Sequence, residues 1–313
     1  MTEKYSLRGH YGKLLTEAGR EYPNIVVLDA DLAKSTKTEQ FKKEFPSRFF
    51  DMGVAEADMM ATAAGLASTG KNVFCSTFAI FGSGRAWDQV RNSIGYPGWP
   101  VKIIVTHGGI SLGEDGASHQ ANEDIALMKV IPGMTVVVPS DIVMLEGLFN
   151  EIIDFDSYIY VRLPRIKLPV IHSTDTDFEI GKGIELKEGK DITIIASGSM
   201  VHQAYNTLRR FKSLDIDAGL VDMFTVKPLD RELLTRITAR TKGILVCEEH
   251  QMNGGLADSI ASALGEIHPL PLERIGIEDS FGESGTPAQL FKKYKLDEES
   301  IIEKGKKLYD RIS

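Results

Sequence analysis

Short apolar runs recur along the chain and alternate with longer stretches whose apolar positions follow a helical period. NIVVLDA (24–30), KNVFCST (71–77), VKIIVTH (101–107), MTVVVPS (134–140) and YIYVRLP (158–164) are apolar at nearly every position. Half-buried strands alternate apolar with polar residues, so runs like these predict strands covered on both faces. Between them lie KTEQFKKEF, AEADMMATAAGLAS, AWDQVRNSI and DIVMLEGLFNEI, long enough for helices. The alternation predicts βαβ units and a parallel sheet.

The block closes near Arg165, and residues 171–190 hold no long periodic segment. A second block opens at DITIIASGS and repeats the alternation through VHQAYNTLRRFKS, DAGLVDM, RELLTRITA, KGILVCEEH, ADSIASALG, LERIGI and ESIIEKGKKLYDRIS. The expected fold is therefore α/β, with two open sheets covered by helices. We divide the chain into 1–170, a connector at 171–190, and 191–313, an organisation suited to its 313 residues.

Composition narrows the function classes. A formal net charge of -8 disfavours a nucleic-acid surface, while leaving room for a local basic pocket. No apolar run reaches the length of a membrane span, and the N-terminus MTEKYSLRGHYGK lacks an apolar leader core, so a cytoplasmic protein without membrane contact is expected. The two cysteines, Cys75 and Cys247, sit in apolar runs and read as buried thiols.

The most unusual segment follows VKIIVTH, at the carboxyl end of an expected parallel strand, the edge at which open α/β sheets bind ligands. It reads His107-Gly-Gly-Ile-Ser-Leu-Gly-Glu-Asp115-Gly-Ala-Ser-His119-Gln. Histidines near neutral pKa exchange protons with hydroxyl and carbonyl oxygens, and an aspartate can hold a hydroxyl. The bland alternative is a glycine-rich turn with surface histidines. Gly109-Ile-Ser111-Leu-Gly113 also fits a G-x-S-x-G elbow, but the glycines after Ser111 make a poor helix start, which the elbow requires. Gly82 and Gly84 lack the third glycine of a dinucleotide loop, and Gly113 leads into Glu114 rather than the lysine of a phosphate loop. Glu248-Glu249-His250 looks like metal ligands, but neighbours on a strand face opposite ways.

Glu56 opens a mostly apolar helix, where it could meet the helix dipole or, if buried, hold a proton. Phe78 and Phe81 lie just past a strand and could wall a flat heterocycle or pack the core. Arg8, Ser35 and Arg162 stand near element ends; arginine there caps, pairs with carboxylates or binds phosphate.

Together these pieces resemble the transketolase family, as its pyrimidine-binding and C-terminal domains. The resemblance rests on Thr106-His107…Gly113-Glu114-Asp115-Gly116…His119-Gln120, on Asp51-Met-Gly-Val-Ala-Glu56, and on Ser76-Thr77-Phe78-Ala-Ile-Phe81, and covers nearly the whole chain. It implies that Glu56 hydrogen-bonds the pyrimidine of thiamine diphosphate and favours the tautomer that removes the thiazolium proton. It implies that Phe78 and Phe81 flank that ring. His107, Asp115 and His119 would contact sugar hydroxyls and the reacting carbonyl, with Glu56, His107 and His119 as the catalytic set. Arg8, Ser35 and Arg162 would bind the substrate's phosphate.

Two departures matter. Gly84 stands where the family has a tyrosine, and GRAWDQVRN is closer to deoxyxylulose-phosphate synthase and to the β subunits of 2-oxoacid dehydrogenases. The G-D-G…N pattern that holds the cofactor's diphosphate and its Mg²⁺ or Ca²⁺ is missing, so no metal ligand is assigned to this chain. A partner N-terminal subunit is expected to supply it, with sugar phosphates as substrates and self-association into an α2β2 assembly. The expected activity is that of a transketolase, active only with its partner. Half of another thiamine-diphosphate enzyme is the alternative, although those relatives lack a histidine at the place of His107. A non-catalytic scaffold is the third reading, against which the retained Glu56, histidines and arginines argue.

Overall fold

A computed structural model describes residues 3–313. Among these residues, seven strands form one open sheet and five a second.

In the first sheet the spatial order is Thr225–Lys227, Thr135–Val137, Ile159–Arg162, Val101–Thr106, Asn72–Phe78, Ile25–Asp29 and Phe49–Asp51. Every neighbouring pair is parallel except Thr225–Lys227 with Thr135–Val137. The strands Ile25–Asp29, Val101–Thr106 and Ile159–Arg162 are buried at every position, as apolar runs sandwiched by helices must be. Helix Leu7–Glu21 starts at the Ser6 cap, whose hydroxyl accepts from the Gly9 N–H, and helix Ile142–Asp154 starts at Asp141, which accepts from Met144.

The second sheet runs Leu272–Ile277, Gly243–Gln251, Ile192–Ala196, Ala218–Asp222, Ile184–Lys187, parallel except for the last pair. Ile184–Lys187 lies within the segment read as a connector, and the edge strand Thr225–Lys227 crosses from the second block to complete the first sheet. Both were invisible as periodic runs because each is too short to carry a pattern. One apolar cluster continues from Val136 and Val138 to Val221, Met223 and Val226, so the two units share a core. No helix among the described residues is long and apolar enough to cross a membrane.

Candidate active site

Register brings the site together. Phe78 ends its strand opposite Thr106, the last residue of the central neighbour, so His107 emerges beside Phe78. Their ring centroids lie 3.8 Å apart. His107 sits at φ 63°, a left-handed conformation uncommon for a residue with a side chain and a mark of a site whose surroundings impose it. Gly108 follows because a Cβ there would meet the Arg162 side chain at 2.5 Å.

Burial drives the His107 pKa down to about 3, with Arg8, Arg165 and His119 adding like-charge repulsion. The imidazole is therefore neutral over the working pH range. Nδ1 lies 2.7 Å from the Thr106 hydroxyl, an anchor that holds the ring while Nε2 remains for a ligand.

Phe81 stacks near-parallel to Phe78 at 6.0 Å, and His119 meets Phe81 edge-on at 5.3 Å. Glu56 begins the helix Glu56–Ser68, is 1% exposed, and its helix start has no side-chain cap, so the carboxylate is not spent on capping. Instead Glu56 Oε2 accepts a 2.8 Å bond from Arg85 Nη1. The Arg85 guanidinium lies 4.5 Å above the Phe81 ring and is 47% exposed. A planar, nitrogen-bearing group thus stacks on Phe81 while donating to Glu56. A flat heterocycle with a ring nitrogen fits the same two contacts.

The cationic end is built from different elements. Arg8 Nη1 donates to the Ser35 carbonyl at 2.7 Å, which joins two of the expected residues. Burial and the neighbouring Arg165 both lower the Arg8 pKa, so two guanidiniums and an imidazole crowd together, an arrangement that an anion relieves. Arg162 is elsewhere. Its buried guanidinium bonds Asp124 at 2.8 Å and the carbonyls of Ala121 and Glu249 at 3.0 Å each. Arg165, three residues on, faces the site instead and also bonds Leu112 O and Glu114. Asp115 is exposed on the loop and His119 half-buried, its Nδ1 2.9 Å from the Ser118 hydroxyl. A cleft of about 460 Å³ lies next to the loop, lined by Ile80, Ser118 and Gln120, chain neighbours of Phe81 and His119.

The other motifs resolve locally. Ser111 lies in the short 3₁₀ turn Ile110–Leu112, and its buried hydroxyl has no hydrogen-bond partner among the described residues, so none of them acts on it as a base. Glu248 accepts from the N–H groups of Leu256 and Ala257 at a helix start, Glu249 accepts from Ser111, and the His250 ring accepts from the Ala126 N–H. Sequence reasoning passed over Arg85 and Arg165. Arg85 sits inside the segment that departs from the family pattern, the one signal that pointed to it.

Comparison with known proteins identifies the family. The family described as "Transketolase, pyrimidine binding domain" matches residues 3–170, and "Transketolase, C-terminal domain" matches 181–301. A Methanocaldococcus jannaschii chain, provisionally named a transketolase C-terminal section, is 45% identical over 95% of this chain and 94% of its own. A Clostridium protein named 6-deoxy-6-sulfo-D-fructose transketolase subunit is 38% identical over 99% of this chain and 96% of its own. A solved structure described as a split gene transketolase, inactive beta4 tetramer, superposes with TM-score 0.91 at 45% identity, covering 98% of this chain and 99% of that one.

Proposed function

This chain belongs to the transketolase family as the C-terminal subunit of a split transketolase, and from that premise we propose that it transfers a two-carbon ketol unit from a ketose phosphate to an aldose phosphate. The family generally uses thiamine diphosphate with a divalent metal. What carries the reading is the placement of Arg85: a flat donor already rests on Phe81 and bonds buried Glu56, so a pyrimidine ring fits there.

When bound, thiamine diphosphate supplies the nucleophilic thiazolium carbon that carries the two-carbon unit. Glu56 holds the proton state of the pyrimidine ring nitrogen, and Phe78 and Phe81 fix the ring plane. Neutral His107 offers a hydrogen bond to the reacting carbonyl oxygen, with Thr106 orienting its ring. His119 and Asp115 bind sugar hydroxyls, and Arg8 with Arg165 takes the charged terminus. The diphosphate and Mg²⁺ or Ca²⁺ fall to an N-terminal partner subunit in an α2β2 assembly, placed in the cytoplasm and in pentose phosphate metabolism. The sulfonated sugar in one relative's name makes the nature of the anion part of the question.

The test is to mix the chain with its partner, thiamine diphosphate and Mg²⁺, and follow transfer from xylulose 5-phosphate to ribose 5-phosphate and from 6-deoxy-6-sulfofructose. Turnover with either donor, reduced at least ~100-fold by Glu56→Gln, fits the reading. Full activity of Glu56→Gln rejects the role of the carboxylate. Arg85, within the segment resembling deoxyxylulose-phosphate synthase, gives a second reading its footing: pyruvate decarboxylation with glyceraldehyde 3-phosphate as acceptor, in place of ketol transfer.

A further inference from the structure

The C-terminal domain reaches into the loop that carries His107, Asp115 and His119. Glu249, on the strand Gly243–Gln251, is buried between the two units. One carboxylate oxygen accepts the Ser111 N–H at 2.7 Å, and the other accepts the hydroxyl of Ser199, the first residue of a C-terminal-domain helix. Gly109 makes room for this contact: its φ is 82°, and a Cβ there would collide with Oε1 of Glu249. The loop's return is tied to the same strand, since Gln251 N–H donates to Asn122 O at 2.7 Å and Arg162 bridges Ala121 O to Glu249 O. Gln120 closes the loop internally on Ile110 O and Gly113 O and donates to Glu283 O at 2.9 Å.

A glycine-rich loop with three left-handed glycines is costly to order by itself. Its buried N–H at Ser111 needs an acceptor, and none of the loop's own residues supplies it. We propose that Glu249 is a positioning residue of the C-terminal domain: it seats the His107–His119 loop in its working geometry by accepting the Ser111 N–H while anchored on Ser199. The consequence for turnover rests on the ketol-transfer reading above; the seating itself does not. The contact with Ser111 needs an acceptor rather than a charge; the carboxylate's charge separately favours the buried Arg162 cation. The side-chain amide introduced by Glu249→Gln would still accept from Ser111 and could donate to Ser199, whereas alanine removes both bonds.

Two measurements decide it. Amide hydrogen exchange on the chain alone reads the Ser111 N–H directly. Exchange at Ser111 is expected to quicken at least tenfold in Glu249→Ala and to stay near wild type in Glu249→Gln. In the assembled enzyme, kcat should fall on the order of 10- to 100-fold in Glu249→Ala and recover in Glu249→Gln, with affinity for thiamine diphosphate unchanged, because the loop lies on the substrate side. Ser199→Ala removes one anchor only and serves if Glu249→Ala does not fold; it should show the same pattern at smaller size. Unchanged exchange at Ser111 overturns the seating. Faster exchange with unaltered kcat overturns the role in the reaction. If the wild-type assembly performs no ketol transfer, the proposed reaction fails, while the exchange result still decides the seating.

Discussion

Glu56 and Arg85 form an unequal pair, a carboxylate buried from water and a guanidinium with nearly half its surface in solvent. The exposed partner loses little hydration by staying, while the buried one depends on it. Arg85→Ala should therefore destabilise the cofactor-free chain by about 1–3 kcal/mol, the cost of leaving a buried acceptor without its donor. Urea denaturation of the chain alone measures this, and an unchanged midpoint would show that water satisfies Glu56 as well as Arg85 does. Arg85→Lys should recover only part of the loss, since an ammonium cannot both lie flat on Phe81 and donate to Glu56 in the guanidinium's geometry.

The elements of the two units are joined by a buried charge cluster. His172 Nδ1 bonds Asp141, the cap of helix Ile142–Asp154, at 3.0 Å, and its Nε2 lies 3.6 Å from Asp222 at the end of strand Ala218–Asp222. Ser140 donates to Asp222, and His202 Nε2 donates to Ser140 O. Burial lowers the His172 pKa, but the hydrogen bond to Asp141 and the charges of both aspartates outweigh it and the net shift is upward. Burial also raises Asp141, yet the bonds from His172, Met144 and Ile171 take it down to about 2. Burial lifts Asp222 to about 7, and burial keeps the His202 pKa low. A histidine raised in the folded state stabilises fully below its ordinary pKa and loses that contribution as pH climbs through the raised value. Asp222 acts in the same direction between its ordinary value and about 7, and Asp141 contributes above its ordinary value, so it is constant here. His202 opposes below about pH 6.5. Melting temperature should accordingly fall as pH rises above about 6.5, the ordinary histidine value, and His172→Gln should flatten that slope; parallel slopes would dismiss the cluster as a stabilising latch.

That latch was not legible beforehand, because His172 lies in an aperiodic stretch and its partners come from elements far apart in sequence. The longer strands of both sheets were legible, since burial on two faces leaves a run apolar throughout, which the short edge strands Phe49–Asp51 and Ile184–Lys187 lack. Thr225–Lys227 was not, having three residues and a partner in the other unit. The aromatic and histidine side of the site could be read because its residues cluster at strand ends, Phe78 and His107 above all. The choice between Arg162 and Arg165 could not. Both occupy Arg162-Leu-Pro-Arg165, and what separates them is Asp124, buried beneath the strand end and able to capture the first arginine.

At the scale of the whole molecule, a cationic cluster is assembled from the chain's first helix and from the segment that follows the strand Ile159–Arg162. Arg8 and Arg165 meet there with neutral His107, and among the described residues neither guanidinium has a buried carboxylate to neutralise it; Glu114, on Arg165, is solvent-exposed. Like charges brought together by folding are a standing cost, and a dianionic terminus would remove it for both residues at once. Replacing either arginine by alanine should raise the KM for a phosphorylated acceptor about 10- to 100-fold, one charge-assisted contact's worth, with kcat little changed. For an unphosphorylated aldose the same variants should leave KM near wild type. Because the two guanidiniums repel, the first loss relieves the second, so the double variant should cost less than the product of the singles. Arg162→Ala should behave differently, lowering the melting temperature without separating phosphorylated from free sugars, since it would strip Asp124 of its cationic partner inside the fold and leave it only the Tyr160 hydroxyl. If Arg162→Ala alone discriminated between the two sugars, the charged terminus would have to reach into the core, and Arg8 and Arg165 would lose their assignment.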